Sequence, residues 1–379
     1  MARQIVDNRK HARVALAVIG AGLVWVALLA AALPSLPARA LASNSSPSVT
    51  PQTAFLYRFD PNTFSFFTRT LPLGSVPIDV AVTGTSPVHV WVTLFGSDKI
   101  GRLVFTSTAQ TSWTEYAVTS TANSQPFQLA LRGNEVWFTE QNANRVGRLN
   151  ALTGQIDEFF GNGLSSDSGL AGIDIAPDGS IWLAGQKSNR LIRLVVTDTN
   201  DFAFQQYTLG STTGPYAVAI ESDNSIHFSA PASNSVGFLT PSLNQTVLAP
   251  GIPPNHYPTD ITWDSAHEAS WFSEPSGGRI GLFFKGTLGI PAQFGPITRP
   301  VGLSRFSGNT LWVTQQDAIG QLARMVYTYP ATVNFTSYPL PTRGLFPTGV
   351  ALAGDGSVWL AAYAPERSYV PAVMRNAAP

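Results

Sequence analysis

The sequence contains no cysteine. This absence excludes a catalytic thiolate, a disulfide framework and a lipoprotein anchor on cysteine. It also excludes thiol redox chemistry and a structural zinc site built on thiolates. Any reactive site must therefore be built from side chains with oxygen or nitrogen groups. The sequence contains only five histidines.

Charged side chains are also scarce, at 12% of the residues, and 23 basic side chains balance 23 acidic ones. Because no long-range field of one sign results, we expect no nucleic acid partner. Hydrophobic residues, by contrast, make up 44% of the chain, which is ample for a large core. The composition favours an ordinary globular protein of low surface charge.

Residues 1–42 have the features of an export signal. Arg9, Lys10 and Arg13 precede an uncharged apolar run over 14–33, and small residues flank Arg39 at the spacing that a signal peptidase reads. At about 1.5 Å per residue the run is also long enough to span a bilayer. We predict either a cleaved signal peptide or an uncleaved N-terminal anchor, with the rest outside the cytoplasm and no other membrane contact. Residues 43–53 are predicted to be a flexible linker.

A pattern centred on one aromatic position recurs seven times in the remaining chain. The residues at this anchor position are Trp91, Trp137, Trp182, His227, Trp271, Trp312 and Trp359. They are spaced by roughly 45 residues, and self-similarity at a near-constant period indicates a repeat architecture. The tryptophans are interpreted as core residues, and His227 as a polar-tipped core residue in the same place.

Each repeat has the pattern of four short strands. It opens on a Pro-x-x-apolar turn, such as residues 126–129, and continues through a tight turn of the Asp178-Gly179 kind into the anchor strand. A strand of the Ile-Gly-Arg-Leu type and a strand rich in aromatics follow. Four antiparallel strands in about 45 residues make one propeller blade. The sequence predicts an all-β, seven-bladed β-propeller over residues 54–379, acting as a monomer.

The two ends of the chain are predicted to close the ring together. Residues 55–60 and 64–71 have the pattern of third and fourth strands without an opening half, whereas the last repeat lacks a clear fourth strand. We expect the N-terminal strands to complete the seventh blade, because unpaired edges would otherwise be exposed. Residues 370–375 also have the pattern of a third strand, so two segments compete for one place.

Two motifs, Trp-Phe-Thr-Glu over 137–140 and Asn-Arg-Val-Gly-Arg-Leu over 144–149, resemble the virginiamycin B lyase (streptogramin lyase) family. The resemblance extends over residues 54–375 and implies a seven-bladed propeller. It also implies a carbon–oxygen lyase that opens a cyclic depsipeptide by elimination, with magnesium at the centre of one propeller face. That reaction needs a base beside a carbonyl and a cation for the enolate that forms.

The side chains that this resemblance implies for catalysis are replaced here. A tyrosine and a histidine in the opening turns of the first and sixth blades correspond to Ile78 and Val301. In the seventh blade the family has a Glu-Pro-His turn, and this chain has Phe346 in place of the glutamate and Thr348 in place of the histidine. The family's glutamate after the last anchor corresponds to Tyr363. A reaction run as in the family is therefore not expected.

Three other residues are candidates for a relocated catalytic site: His256, Glu140 and Glu274. Glu140 and Glu274 directly follow a Trp-x-Thr or Trp-x-Ser pattern, and we expect this position to line the channel. The two carboxylates would then face each other and could hold a hydrated cation, magnesium; capping of backbone amides is the alternative. His256 comes just before an opening turn and could reach the channel mouth.

The other near-axis positions form an apolar mouth with hydroxyl groups. Besides Ile78, the predicted ligand-binding residues are Phe127, Tyr216, Thr259, Val301 and Thr348. Such a surface suits binding better than proton transfer. The sequence favours an exported, non-catalytic module that binds a small molecule, peptide or glycan there without a cofactor. A magnesium-dependent lyase with a relocated site and a propeller acting only through its surface are the alternatives.

Overall fold

The computed structural model describes residues 53–119, 122–210, 213–249, 251–284, 292–328 and 332–365. These residues contain 28 strands arranged in seven four-stranded antiparallel sheets. In the same ranges no helix is long and apolar enough to cross a membrane. The predicted signal or anchor, residues 1–42, most of the predicted linker and the competing segment 370–375 lie outside the described residues.

The chain begins with two strands that belong to the last blade, and the first three complete blades follow. The N-terminal strands are β1 (Ala54–Asp60) and β2 (Ser65–Leu71). Blade one has β3 (Pro77–Thr83), β4 (Val88–Leu94), β5 (Lys99–Ser107) and β6 (Gln110–Ala117). Blade two has β7 (Pro126–Arg132), β8 (Glu135–Glu140), β9 (Arg145–Asn150) and β10 (Ile156–Phe159). Blade three has β11 (Leu170–Ile175), β12 (Ile181–Gly185), β13 (Arg190–Asp198) and β14 (Asp201–Thr208).

The remaining blades repeat the same order from the axis outwards. Blade four has β15 (Val218–Ile220), β16 (Ile226–Ala230), β17 (Ser235–Thr240) and β18 (Gln245–Ala249). Blade five has β19 (Ile261–Asp264), β20 (Ala269–Glu274), β21 (Arg279–Phe284) and β22 (Ala292–Phe294). Blade six has β23 (Pro300–Leu303), β24 (Thr310–Gln315), β25 (Gln321–Thr328) and β26 (Thr332–Pro339). Blade seven starts with β27 (Phe346–Leu352) and β28 (Val358–Tyr363).

Blade seven is completed by the N-terminal strands, so the predicted closure is confirmed. Its sheet order is β2-β1-β28-β27, and β1 runs antiparallel to β28 with Tyr57 opposite Leu360. Residues 54–60 therefore occupy the third-strand place for which two segments competed. With this pairing the seven-bladed, four-stranded propeller that the sequence predicts is confirmed.

The anchor residues lie in the second strand of every blade and fill the space between neighbouring sheets. The six anchor tryptophans are at most 3% exposed. Trp137, for example, belongs to one cluster with Ile173 and Ile181 of blade three. Because an aromatic side chain buries a large apolar area, this repeated contact provides much of the stability between blades.

His227 takes the anchor position in blade four and is fully buried. Its ring stacks against Trp263 of blade five, with 4.7 Å between ring centroids, and its Nε2 lies 3.3 Å from a Glu221 carboxylate oxygen. An imidazole is smaller than an indole, and Trp263 fills the adjoining space. The interpretation of His227 as a core residue agrees with this packing.

In five blades the hydroxyl of the Trp-x-Thr pattern ties the blade to the next. It donates to a backbone carbonyl of the following opening turn; the donors are Thr93, Thr139, Ser229, Ser273 and Thr314. Blades three and seven have alanine at this place. From blade three, the backbone N–H of Gly172 donates instead to the Tyr216 carbonyl of blade four, at 2.7 Å. From blade seven, Thr348 donates to the Pro77 carbonyl of blade one, at 3.1 Å. These bonds fix the opening turns in a ring around the axis.

Candidate functional site

The ring of opening turns encloses a cavity on the propeller axis. Residues from the inner ends of blades one, two, four, five, six and seven line it. The space open to the centres of water-sized atoms is about 50 Å³. One water needs about 10–15 Å³ on this measure, so the enclosed part has room for roughly three to five waters. It can therefore take a small chemical group, while a larger ligand would have to extend out of it.

Four of the five predicted ligand-binding residues lie in the wall of this cavity: Tyr216, Thr259, Val301 and Thr348. Phe127 lies behind the wall, where its ring packs edge-on against Tyr216 at 5.8 Å between centroids. This contact supports the Tyr216 ring from outside the cavity. Ligand binding by all five residues stays a prediction.

Three of the five positions for which the resemblance implies catalytic groups belong to this wall. Ile78, Val301 and Thr348 line the cavity, and none of them carries an ionisable group. The Thr348 hydroxyl donates to the backbone carbonyls of Pro77 and Ala361. Tyr363 is completely buried. The cavity is thus lined in part by residues that replace the catalytic groups implied by the resemblance.

Two acidic residues in the wall, Asp79 and Asp260, were missed by the sequence analysis. Each lies directly after the second residue of its opening turn and ties two blades together. Asp79 accepts N–H bonds from Val80 at 2.8 Å and from Leu129 of blade two at 3.0 Å. The sequence did contain a sign of these residues, because most other repeats have glycine or alanine at this place. An aspartate there is unusual, since carboxylates are rarely placed in the interior.

Asp260 has the same arrangement in blade five. It accepts N–H bonds from Ile261 at 2.9 Å and from Leu303 of blade six at 2.7 Å. Burial raises the pKa of Asp260 to about 7, with Asp79 adding to the effect and the backbone bonds opposing it. Burial likewise raises the pKa of Asp79 to about 6. No basic side chain lowers either pKa, so this part of the cavity is electronegative.

Tyr216 is the third polar group in this part of the cavity. Burial raises the pKa of its phenol well above the usual value, and the nearby Asp260, Tyr363 and Asp79 add to the effect. The phenol therefore remains protonated at any physiological pH. Tyr216 thus contributes a neutral aromatic residue to the cavity wall.

Glu140 and Glu274 do not belong to the wall of the cavity. Glu140 is completely buried, and neither of its carboxylate oxygens has a hydrogen-bond partner among the described residues. Burial raises the pKa of Glu140 to about 8, with Glu158 adding to the shift and Arg145 opposing it. Among the described residues Glu140 therefore caps no backbone amide, and it does not line the cavity.

The structure does bring His256 and Glu274 together. The His256 Nδ1 is hydrogen-bonded to Oε2 of Glu274, and Gln293 donates to the same oxygen at 3.1 Å. Glu274 is fully buried and its Oε1 has no hydrogen-bond partner among the described residues, whereas the His256 side chain is 17% exposed. Burial raises the pKa of Glu274, and the bond to His256 opposes the shift. The pair flanks the cavity, because Pro275, the next residue, lines it.

The cavity does not offer the ligands that magnesium requires. Mg²⁺ demands a near-octahedral set of oxygens and is usually held through one or two carboxylates together with several waters. Asp79 and Asp260 are the carboxylates in the wall, and both oxygens of each already accept backbone N–H bonds. Across the described ranges, no three or more His, Asp and Glu side chains form a group suited to a metal ion. The predicted metal role of Glu140 and Glu274 stays a prediction.

Comparison with known proteins places the chain among lyase-like propellers. The model of the virginiamycin B lyase family matches residues 74–364. A solved streptogramin B lyase is 24% identical, with a TM-score of 0.66 over 82% of this chain and 97% of that one. Virginiamycin B lyase from Staphylococcus aureus is 23% identical, with a TM-score of 0.65 over 81% and 99% of the two chains.

A more distant structure has the same architecture. A protein described as a putative 6-phosphogluconolactonase from Bacteroides uniformis is 15% identical, with a TM-score of 0.54 over 76% of this chain and 100% of that one. At such identities the solved structures show a common fold and do not assign a reaction. No curated protein sequence matches the chain significantly.

Proposed function

Because this chain belongs to the virginiamycin B lyase family, we propose that it is an exported relative of these enzymes that binds a ligand in the axial cavity. The bound ligand would not be cleaved by elimination. The proposed ligand is a small molecule, or the end of a peptide or glycan, since the enclosed space admits only a small group. The protein would act as a monomer outside the cytoplasm.

The observation that supports this proposal best is the chemistry of the cavity wall. Elimination beside a carbonyl needs a base and a cation that stabilises the enolate. Ile78, Val301 and Thr348 supply neither, and the wall does not suit magnesium. Asp79 and Asp260 have pKa values suited to a base, but protonation of either would weaken the backbone bonds that join the inner strands. A cavity with rigid walls and fixed hydrogen-bonding groups is what ligand binding requires.

Filling the cavity should abolish binding without unfolding the protein. We expect Val301→Trp, which places an indole in the cavity, to remove the thermal shift caused by any hit from a fragment library. Val195→Trp is the matched control, because Val195 lies on β13 with 36% of its surface exposed and away from the axis. If hits shift the melting temperature of Val301→Trp as much as that of the wild type, the axial cavity is not the binding site.

A magnesium-dependent lyase with a relocated site is the second candidate function. The hydrogen bond between His256 and Glu274 supports it, because a buried carboxylate that orients an imidazole is a recurrent arrangement for a general base. On this alternative His256 would remove the substrate proton and Glu274 would orient its ring, while Glu140 lies outside this arrangement. The alternative requires a depsipeptide-opening activity that disappears in His256→Ala.

A further inference from the structure

We propose that the axial cavity takes a primary ammonium group, held between Asp79 and Asp260 with the Tyr216 hydroxyl as a third acceptor. This inference rests on the proposed function, because it names the chemical class of ligand for the same cavity. The ammonium group could belong to a free amine or to a lysine side chain. In both cases the compact cationic head enters the cavity and the rest of the molecule remains at the mouth.

The first support is the placement of the two aspartates on opposite sides of the axis. Blades one and five are separated by blades six and seven on the shorter side of the ring. Both carboxylates line the same cavity, and the charge of Asp79 acts on Asp260 across it. Two like charges in a poorly hydrated space are unfavourable unless a cation lies between them. A cationic ligand would supply the missing charge.

The second support is that the described residues place no counter-ion beside either aspartate. Arg299 also lines the cavity, but neither aspartate has its pKa lowered by this or any other basic side chain. Asp174 provides the contrast within the same chain, since the Arg305 guanidinium lies 3.7 Å from its carboxylate. Among the described residues, Asp79 and Asp260 therefore lack the neighbouring cation that Asp174 has. A cationic ligand could take that place.

The third support is the match of hydrogen-bonding groups. Each oxygen of Asp79 and Asp260 accepts one backbone N–H, which leaves acceptor capacity on every oxygen. An ammonium group has three donors, and the wall offers it two carboxylates and the Tyr216 hydroxyl. The Tyr216 ring is an additional favourable surface for a cation. Unlike magnesium, an ammonium group needs no octahedral set of oxygens.

The size of the cavity restricts the cation. The cavity, with about 50 Å³ open to the centres of water-sized atoms, has room for an ammonium group and the first methylene attached to it. A tetramethylammonium ion presents a methyl group on every side and no N–H donor. We therefore expect primary amines to bind and tetramethylammonium not to bind.

The test is a calorimetric titration of the full chain with n-butylammonium chloride at pH 8 and constant ionic strength. We expect saturable binding by the wild type, binding at least about tenfold weaker in Asp260→Asn and in Asp79→Asn, and none for tetramethylammonium. Asp174→Asn is the matched control, because Asp174 also accepts two backbone N–H bonds, from Ile175 and Ile220, but does not line the cavity. It should bind the amine as the wild type does.

The pH dependence provides a measurement that needs no variant. The carboxyl groups of Asp79 and Asp260 ionise near pH 6 and 7, whereas an alkyl ammonium stays charged to about pH 10. The phenol of Tyr216 stays neutral and Arg299 stays charged over this range, so affinity should rise from pH 5 to pH 8. Constant affinity across this range would overturn the proposal.

Further outcomes separate this inference from the proposed function. Equal binding of sodium or magnesium ions at the same concentration, or a loss in Asp174→Asn as large as in Asp260→Asn, would overturn the ammonium site. If no amine binds but another ligand does, and Val301→Trp abolishes the binding of that ligand, the ammonium site is wrong while the proposed function stands.

Amine binding that survives Val301→Trp would place the cation outside the axial cavity and overturn both proposals. An Nα-acetyl-lysine amide, titrated beside butylamine, distinguishes a peptide side chain from a free amine as the source.

Discussion

Phe59→Ala is expected to lower the free energy of unfolding by about 3–5 kcal/mol, as in other deletions of a large buried aromatic side chain. Phe59 lies in β1 and is completely buried. Its ring centroid lies 4.6 Å from that of Tyr338 and 5.5 Å from that of Trp312, both in blade six. The residue thus joins the N-terminal strand of blade seven to the neighbouring blade, and its loss should loosen the closure of the ring.

The matched control is Phe64→Ala, because Phe64 belongs to the same N-terminal segment but is 63% exposed. It stacks on Tyr338 from outside, at 5.9 Å between centroids, so we expect its replacement to cost less than about 1 kcal/mol. Equilibrium unfolding in urea measures both values. Equal midpoints for the two variants would show that β1 contributes little to closing the propeller.

Glu140→Gln is expected to stabilise the protein by about 4 kcal/mol at pH 8 and to have little effect below pH 4.5. The Glu140 carboxyl ionises near pH 4.5 in the unfolded chain but near pH 8 in the folded one. Between these values the folded protein holds a proton that the unfolded chain has released. Stability therefore falls as pH rises through this window, and a glutamine has no proton to lose.

Glu274→Gln is the control for this prediction, since Glu274 follows its anchor tryptophan at the same spacing and is equally buried. His256 and Gln293 hold one of its oxygens, so we expect its replacement to break an existing network and to destabilise the protein. Thermal unfolding from pH 5 to pH 8 tests both variants. A Glu140→Gln curve parallel to that of the wild type would mean that Glu140 is ionised in the folded protein.

The fold could be predicted from the sequence because one large side chain marks every repeat. Six anchors are tryptophans packed between neighbouring sheets and His227 takes the seventh place, so the anchor spacing directly reflects the blade period. The hydroxyl two residues after five of the seven anchors has an equally local cause, since it ties one blade to the next, as Thr139 does with Ala171. Closure by β1 also followed from the sequence, because the N-terminal strands lacked an opening half.

The aspartates of the cavity were missed because the opening turns depart from regular strand geometry. In a regular strand successive side chains point to opposite faces, so only every second residue would reach the channel. The pairing of β3 with β4 shifts register between Pro77 and Val80, which is the signature of a β-bulge. As a result both Ile78 and Asp79 line the cavity.

Glu140 was misplaced for a different reason. Glu140 is the last residue of β8 and was expected to face the channel. The turn that precedes β7, however, runs across this end of β8. Gln141 and Asn142 donate backbone hydrogen bonds to the carbonyls of Gln125 and Ser124. These contacts enclose the Glu140 side chain, and such tertiary covering cannot be read from the local pattern.

The most direct test of the central claim is incubation of the purified protein with a streptogramin B-type depsipeptide and magnesium. Elimination opens the ring without changing the mass, so reversed-phase chromatography combined with mass spectrometry distinguishes the cyclic form from its linear isomer. We predict that the depsipeptide remains cyclic, because the wall at Ile78, Val301 and Thr348 provides no base or metal site for the reaction. A linear isomer that forms with the wild type, and not with His256→Ala or in the presence of a chelator, would contradict the account and establish the relocated lyase.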